Sequence, residues 1–137
     1  MVFEAIPLYP HMLPDERVIW HRFYTPRIKD FLSVNYDVHV GEGMIPPPGL
    51  PEWIQNVIAA TSQKRIDAVA ETLNNIWIVE VKSRAGMSAV GQLLAYEILY
   101  FKKFSPSKSL QKVLVCERIA ADLDTVFEQY GIKIFVV

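Results

Sequence analysis

The sequence predicts a mixed α/β fold: a central sheet flanked by helices, with elements in the order αβββαβαβ. Three observations carry this expectation. Short runs rich in β-branched and aromatic residues ("YDVHV", "KRIDAVAE", "IWIVEVKS", "KVLVCE", "IKIFVV") are interleaved with longer stretches of helical periodicity. Proline, glycine and asparagine punctuate the joins between them. A length of 137 residues, 51% of them hydrophobic, suffices for one core and is short for two, so one domain is expected over residues 1–137.

The elements follow in order. "PDERVIWHRFY" opens with Pro14 and carries acids in its first turn, the pattern of a helix start. Pro26 either kinks that helix or starts a second one capped by Thr25, so residues 13–33 form a helical segment. "YDVHV" alternates as a strand and stops at Gly41. Residues 41–53, "GEGMIPPPGLPEW", are a Pro/Gly-rich loop whose proline run favours polyproline II geometry. "EWIQNVIAA" forms a short helix. "KRIDAVAE" and "IWIVEVKS" are strands joined around "TLNN", and "SAVGQLLAYEILYFKKF" is a long helix beginning near Ser88. "KVLVCE" is a strand, "ADLDTVFEQYG" a helix closed by Gly131, and "IKIFVV" a last strand. Its apolar character at a sheet edge would suit pairing with a second copy.

Composition narrows the function. Net charge is −1, which argues against a protein that grips nucleic acid by bulk charge. The distribution is less even: Lys and Arg number four against seven Asp and Glu in residues 1–63, eight against four in 64–112, and two against four in 113–137. The basic excess lies in the segment holding "VEVKS", a modest sign of a phosphate-facing surface. Cys116 is the single cysteine and sits in an apolar strand-like run, so neither a disulfide framework nor a zinc cluster is expected. The start, "MVFEAIPLYPHMLP", lacks the pattern of a signal peptide, and the longest uncharged stretch, 12 residues, is too short to span a bilayer. A mean hydropathy of +0.17 is high for a small chain and suggests surface covered by a second copy or another protein. The expectation is a cytoplasmic protein with no membrane association.

"IWIVEVKS" carries the chemistry. On a strand, Ile76, Ile78, Glu80 and Lys82 share one face, and Trp77, Val79, Val81 and Ser83 the other. A carboxylate and an ammonium beside a core are costly unless something uses them. A two-residue Asn74-Asn75 turn pairs Leu73 with Ile76, Val69 with Glu80 and Asp67 with Lys82. Opposed residues share a face, so Asp67, Glu80 and Lys82 converge. Any even-length turn preserves this, whereas an odd one without a bulge sends Asp67 to the other side. Two carboxylates, helped by a backbone carbonyl, make a hard oxygen site of the kind Mg²⁺ or Mn²⁺ prefers, suited to phosphodiester hydrolysis. A lysine beside it can orient or deprotonate water, or stabilise developing charge. The plainer alternative is a structural ion pair between Lys82 and Asp67 or Glu80. In the next helix Gln92 and Tyr96 lie one turn apart on one face, beside apolar contacts from Val90, Leu93, Leu94, Ile98 and Phe101.

The stretch "RIDAVAETLNNIWIVEVKSRAGMSAVGQLLAYEIL" resembles the restriction-endonuclease-like core of the PD-(D/E)XK nuclease superfamily. Asp67 matches its first acid, Glu80-Val81-Lys82 its (D/E)-x-K, and Gln92 and Tyr96 the Q-x-x-x-Y of RecB-like members. "RID", "EVK", "RAG" and "AVGQLLAY" are similar to the catalytic domain of NucS/EndoMS-type endonucleases, which cut mismatched or branched DNA. The resemblance implies a Mg²⁺- or Mn²⁺-dependent endodeoxyribonuclease with a catalytic core at 64–104. Asp67, Glu80 and the Val81 carbonyl would hold metal, Lys82 would act on the attacking water, and Gln92 and Tyr96 would support the site. Superfamily members often add an acid from the first helix, for which Glu16 is the candidate, although Glu16 and Asp15 could equally be helix-start acids. Lys64 and Arg84 are candidates for flanking phosphates. Implied partners are DNA and a second copy, in repair or recombination. The competing expectation is a nuclease fold serving as a structural or docking subunit of a larger assembly such as a viral particle, placed in the host cytoplasm. Two departures stand out: Ile66 replaces the proline of the motif, and 137 residues leave no room for the separate N-terminal DNA-binding and dimerising domain of that type.

Overall fold

The computed structural model describes residues 5–43, 45–62 and 64–137. The first residues of the opening stretch read for a signal, and Met44 of the proline loop, lie outside them. The elements are α1 (Pro14–Tyr24), a 3₁₀ segment (Thr25–Asp30), β1 (Ser33–Val40), α2 (Glu52–Ser62), β2 (Lys64–Glu71), β3 (Asn75–Ala85), α3 (Met87–Phe104), β4 (Ser109–Ile119), α4 (Asp124–Gln129) and β5 (Ile132–Val136). Among the described residues no helix is long and apolar enough to cross a membrane.

The strands form one mixed sheet in the order β1-β2-β3-β4-β5. The first three are antiparallel neighbours; β3, β4 and β5 run parallel. The tight turn between β2 and β3 can only reverse the chain, while α3 and α4 carry it back across the sheet to restart in the same direction; β1 and β2 are joined by the long segment that holds α2.

Helices cover both faces. Alternation along β3 sends Trp77, Val79 and Val81 to the α1 side, where they meet Ile19, Trp20 and Phe23. Ile76 and Ile78 go to the α3 side, where they meet Ala89, Val90, Leu93 and Tyr96. The α1 face joins these aliphatic residues to a run of aromatic rings: Phe23 lies 4.9 Å from Phe135 and Phe135 lies 5.6 Å from Trp77 between ring centres. Trp20 is fully buried there and its indole N–H donates to the Tyr36 hydroxyl at 3.0 Å. Cys116 is buried in the α3-side core, as a small hydrophobe would be, and burial pushes its thiol up to about 11.

Several sequence expectations are corrected. The chain after Pro26 is a separate 3₁₀ turn, and Thr25 does not cap it; its hydroxyl donates back to the His21 carbonyl at 2.7 Å. The β2–β3 turn spans four residues, pairing Glu71 with Ile76 and Ala68 with Val79. The Thr72 hydroxyl closes it, donating to the Asn75 side chain at 2.6 Å and accepting the Asn75 N–H at 3.1 Å. Relative to a two-residue turn the register slips by two, an even number, so the faces are unchanged. In α3, Ile98 and Phe101 point outward, 67% and 57% exposed, because the helix rotates Leu93 and Tyr96 onto the sheet instead. Gly41, at φ +80°, ends β1 as expected, a backbone turn that a residue with a Cβ rarely adopts.

Candidate active site

The β2–β3 ladder ends at Ala68 and Val79, yet both strands continue. β2 goes on beside β1 as far as Lys64 opposite Val40, and β3 goes on beside β4 as far as Ala85 opposite Ile119. The sheet thus forks, and backbone groups facing the gap need other partners. Asp67 supplies one: its Oδ2 accepts the Val81 N–H at 2.9 Å, filling the place of a ladder carbonyl.

Asp67 and Glu80 occupy this fork and are the buried charged side chains among the described residues, at 6% and 3% exposure. Lys82 reaches Glu80 from the rim, Nζ to Oε1 at 3.2 Å, while Glu80 Oε2 has no hydrogen-bond partner among the described residues. From α3, Tyr96 is buried beside them, and the Gln92 carbonyl oxygen is buried and unpartnered. Asp67, Glu80, Lys82, Gln92 and Tyr96 line one cleft of about 270 Å³. Glu16, Arg65, His11 and Leu13 complete its wall. A larger hollow of about 490 Å³, lined by Gly41, Glu42, Leu99, Lys102 and Lys103, carries its charges on exposed side chains and holds no buried acid, so chemistry rather than size marks the site.

Electrostatics set these two acids apart. Burial, followed by repulsion from Asp67, pushes the Glu80 carboxyl up to about 8 despite Lys82. Burial raises Asp67 to about 6; the Val81 N–H opposes this and Glu16 adds to it. Both acids are thus pushed toward the protonated form and titrate as a pair. Burial and the two carboxyls hold the Tyr96 phenol at about 12, a neutral hydroxyl throughout the physiological range.

The remaining sequence candidates are placed differently. Glu16 borders the cleft, but its Oε1 accepts the Leu13 N–H at 3.1 Å, half of a capping box that the apolar Leu13 side chain cannot reciprocate. Among the described residues no group of three or more His, Cys, Asp or Glu side chains is gathered as a metal cage. Lys64 and Arg84 are both exposed and outside the cleft wall. Arg84 stands opposite Arg118 where β3 and β4 end. The residue missed was Arg65, two positions before Asp67 on the same strand; the alternation that grouped Glu80 with Lys82 would have found it.

Comparison with known proteins places the fold. No protein family matches the sequence, and no curated protein matches it either. A solved EndoMS–dsDNA2 complex does match in structure, with a TM-score of 0.52 and 13% identity. In fold, this chain resembles EndoMS. The match covers 98% of this chain and 49% of the other, so the chain spans about half the length of that protein. The α/β class read from the motifs is the fold found.

Proposed function

We propose that this chain is a metal-dependent nuclease that hydrolyses phosphodiester bonds in DNA. The observation that carries the reading is the pair of buried carboxyls in the fork: the backbone N–H that Asp67 accepts there does not call for a second buried acid, Glu80, beside it. The fold shared with a protein solved on double-stranded DNA supports it.

The residues fit a divalent cation. Mg²⁺ keeps several waters and is commonly held by one or two carboxylates, which matches a site with two acids and no larger cage among the described residues. The unpartnered Glu80 Oε2 and the raised carboxyls are what a site awaiting positive charge would show. Asp67, Glu80 and the Val81 carbonyl would hold Mg²⁺ or Mn²⁺, with Glu16 left to its helix cap. Bound there, the cation supplies a Lewis acid that polarises a phosphoryl oxygen and acidifies water. Lys82, tethered to Glu80, would orient the attacking water and stabilise the charge that develops on the phosphoryl oxygens. The Gln92 carbonyl accepts a hydrogen bond from that water, and the neutral Tyr96 hydroxyl holds the Glu80 side of the cleft in place.

The test is calorimetric titration of Mn²⁺ into the wild type and Glu80→Ala, followed by cleavage of single-stranded, duplex, mismatched and branched DNA. Binding should disappear in Glu80→Ala. Asp67→Ala and Lys82→Ala should lower cleavage by about 10²–10⁴-fold with far-UV circular dichroism unchanged. A wild type that neither binds Mn²⁺ nor cuts any substrate would reassign these charges to a docking interface.

A further inference from the structure

Arg65 makes a side-on bidentate pair with Asp37 of the neighbouring strand: Nε donates to Oδ1 at 2.7 Å and Nη2 to Oδ2 at 2.6 Å. Asp37 reaches it from an unusual backbone. It sits inside β1 at φ +53°, where a residue with a Cβ is strained, although aspartate tolerates this region better than most. The β1–β2 pairing includes Tyr36 with Ala68 and Val38 with Ile66 but skips the step between them, where Asp37 stands opposite Asp67. Sidedness changes there too. Tyr36 packs into the α1-side core and Val38 into the α3-side core, where a regular strand would keep both on one face.

An ion pair that merely joined two adjacent strands would not need a left-handed residue to aim its carboxylate. The guanidinium so fixed has three of its five N–H groups without a partner among the described residues, and it lines the cleft of Asp67 and Glu80. Charge balance gives it a task. The cleft wall carries three acids, Glu16, Asp67 and Glu80, against Lys82 and Arg65, and Lys82 is already engaged with Glu80. A polyanionic strand entering such a cleft needs a cation whose donors remain open.

We propose that Arg65 is the substrate-binding arm of this site, taking a phosphate oxygen of the DNA strand with its open guanidinium edge, and that Asp37 is the residue positioning it. The proposal rests on the nuclease reading above. A guanidinium held along one edge presents its other edge in a fixed plane, which suits the paired oxygens of a phosphodiester better than a mobile ammonium would.

The experiment measures binding of a fluorescein-labelled DNA duplex by anisotropy over a range of salt concentrations with Mg²⁺. It uses the Lys82→Ala protein, whose expected loss of cleavage keeps the duplex intact during the measurement, alone and with Arg65→Gln, Arg65→Lys or Asp37→Asn added. Arg65→Gln should weaken binding roughly tenfold or more and reduce the slope of log K against log [salt] by about one, since one phosphate contact is lost. Arg65→Lys should keep the slope and lose part of the affinity; Asp37→Asn should do the same, because the charge stays and only its orientation loosens. A purely structural pair would lower the melting temperature and leave the slope alone. If Arg65→Gln does not fold, the Lys and Asn variants carry the test through affinity. Wild-type affinity in these variants, in a protein that binds Mn²⁺ and whose parent cuts DNA, would overturn this proposal alone. A parent that neither binds Mn²⁺ nor binds or cuts DNA would overturn the nuclease reading and this proposal with it.

Discussion

Strand β3 presents two different surfaces to the two sides of one sheet. Toward α1 it shows Trp77, Val79 and Val81, packed against fully buried Trp20 and Phe23, with the indole N–H of Trp20 satisfied by Tyr36 and that of Trp77 by the Asn75 side chain. Toward α3 it begins the same way, with Ile76 and Ile78, then turns to Glu80 and Lys82 in the fork. Burial on the first side removes apolar surface from water and is stabilising without exception. Burial on the second side strips water from two carboxyls that still repel each other, and the folded chain is strained by it. One strand thus carries much of the stability on its odd residues and the chemistry on its even ones. Alternation lets the two be tuned separately.

Mutations can sharpen this contrast or break it. The largest effect should come from the α1 side: Phe23→Ala should cost about 3–5 kcal/mol at any pH, measured by urea unfolding, because it empties a fully buried aromatic site. The fork should give the opposite sign. Both its carboxyls bind protons more tightly in the folded chain than in the unfolded one, so their contribution is full below the unfolded values of 3.8 and 4.5. It is lost as pH rises through about 6 and about 8. Metal-free protein should therefore be less stable at pH 8.5 than at pH 6. Glu80→Gln, which removes the upper of these transitions, should be more stable than the wild type at pH 8.5 by on the order of 1–2 kcal/mol while losing Mn²⁺ binding. A Glu80→Gln protein less stable than the wild type at high pH would erase the distinction between the two faces. The smallest effect should be that of Tyr36→Phe, about 1 kcal/mol from the orphaned Trp20 N–H, with no pH dependence between 6 and 8.5.

The grouping of Asp67, Glu80 and Lys82 was legible because it depends only on parity. The turn proved two residues longer than the asparagine pair suggested, yet the even slip left Asp67, Glu80 and Lys82 together. The fork itself left no trace in the residues, since "KRIDAVAE" and "IWIVEVKS" read as uninterrupted strands and nothing local says where a ladder stops. Asp37 was hidden for a related reason: "YDVHV" alternates cleanly, and nothing in it marks the left-handed backbone at its aspartate or the Arg65 that its carboxylate meets on the neighbouring strand. Glu16 shows the opposite limit. Helical spacing brought it to the cleft wall, but a backbone N–H one turn earlier claimed its carboxylate. The outward Ile98 and Phe101 could not be told from inward ones, because α3 is apolar on more of its circumference than the sheet can cover.

The bond from the Val81 amide to Asp67 has a mechanical consequence. The ladder between β2 and β3 consists of backbone groups whose charge never changes, but past Ala68 and Val79 the link across the crotch of the fork runs through a side chain that can gain or lose a proton. The same carboxyl is thus asked both to close the backbone of the fork and to face the cleft, so a substitution that removes it is felt by the sheet as well as by the site.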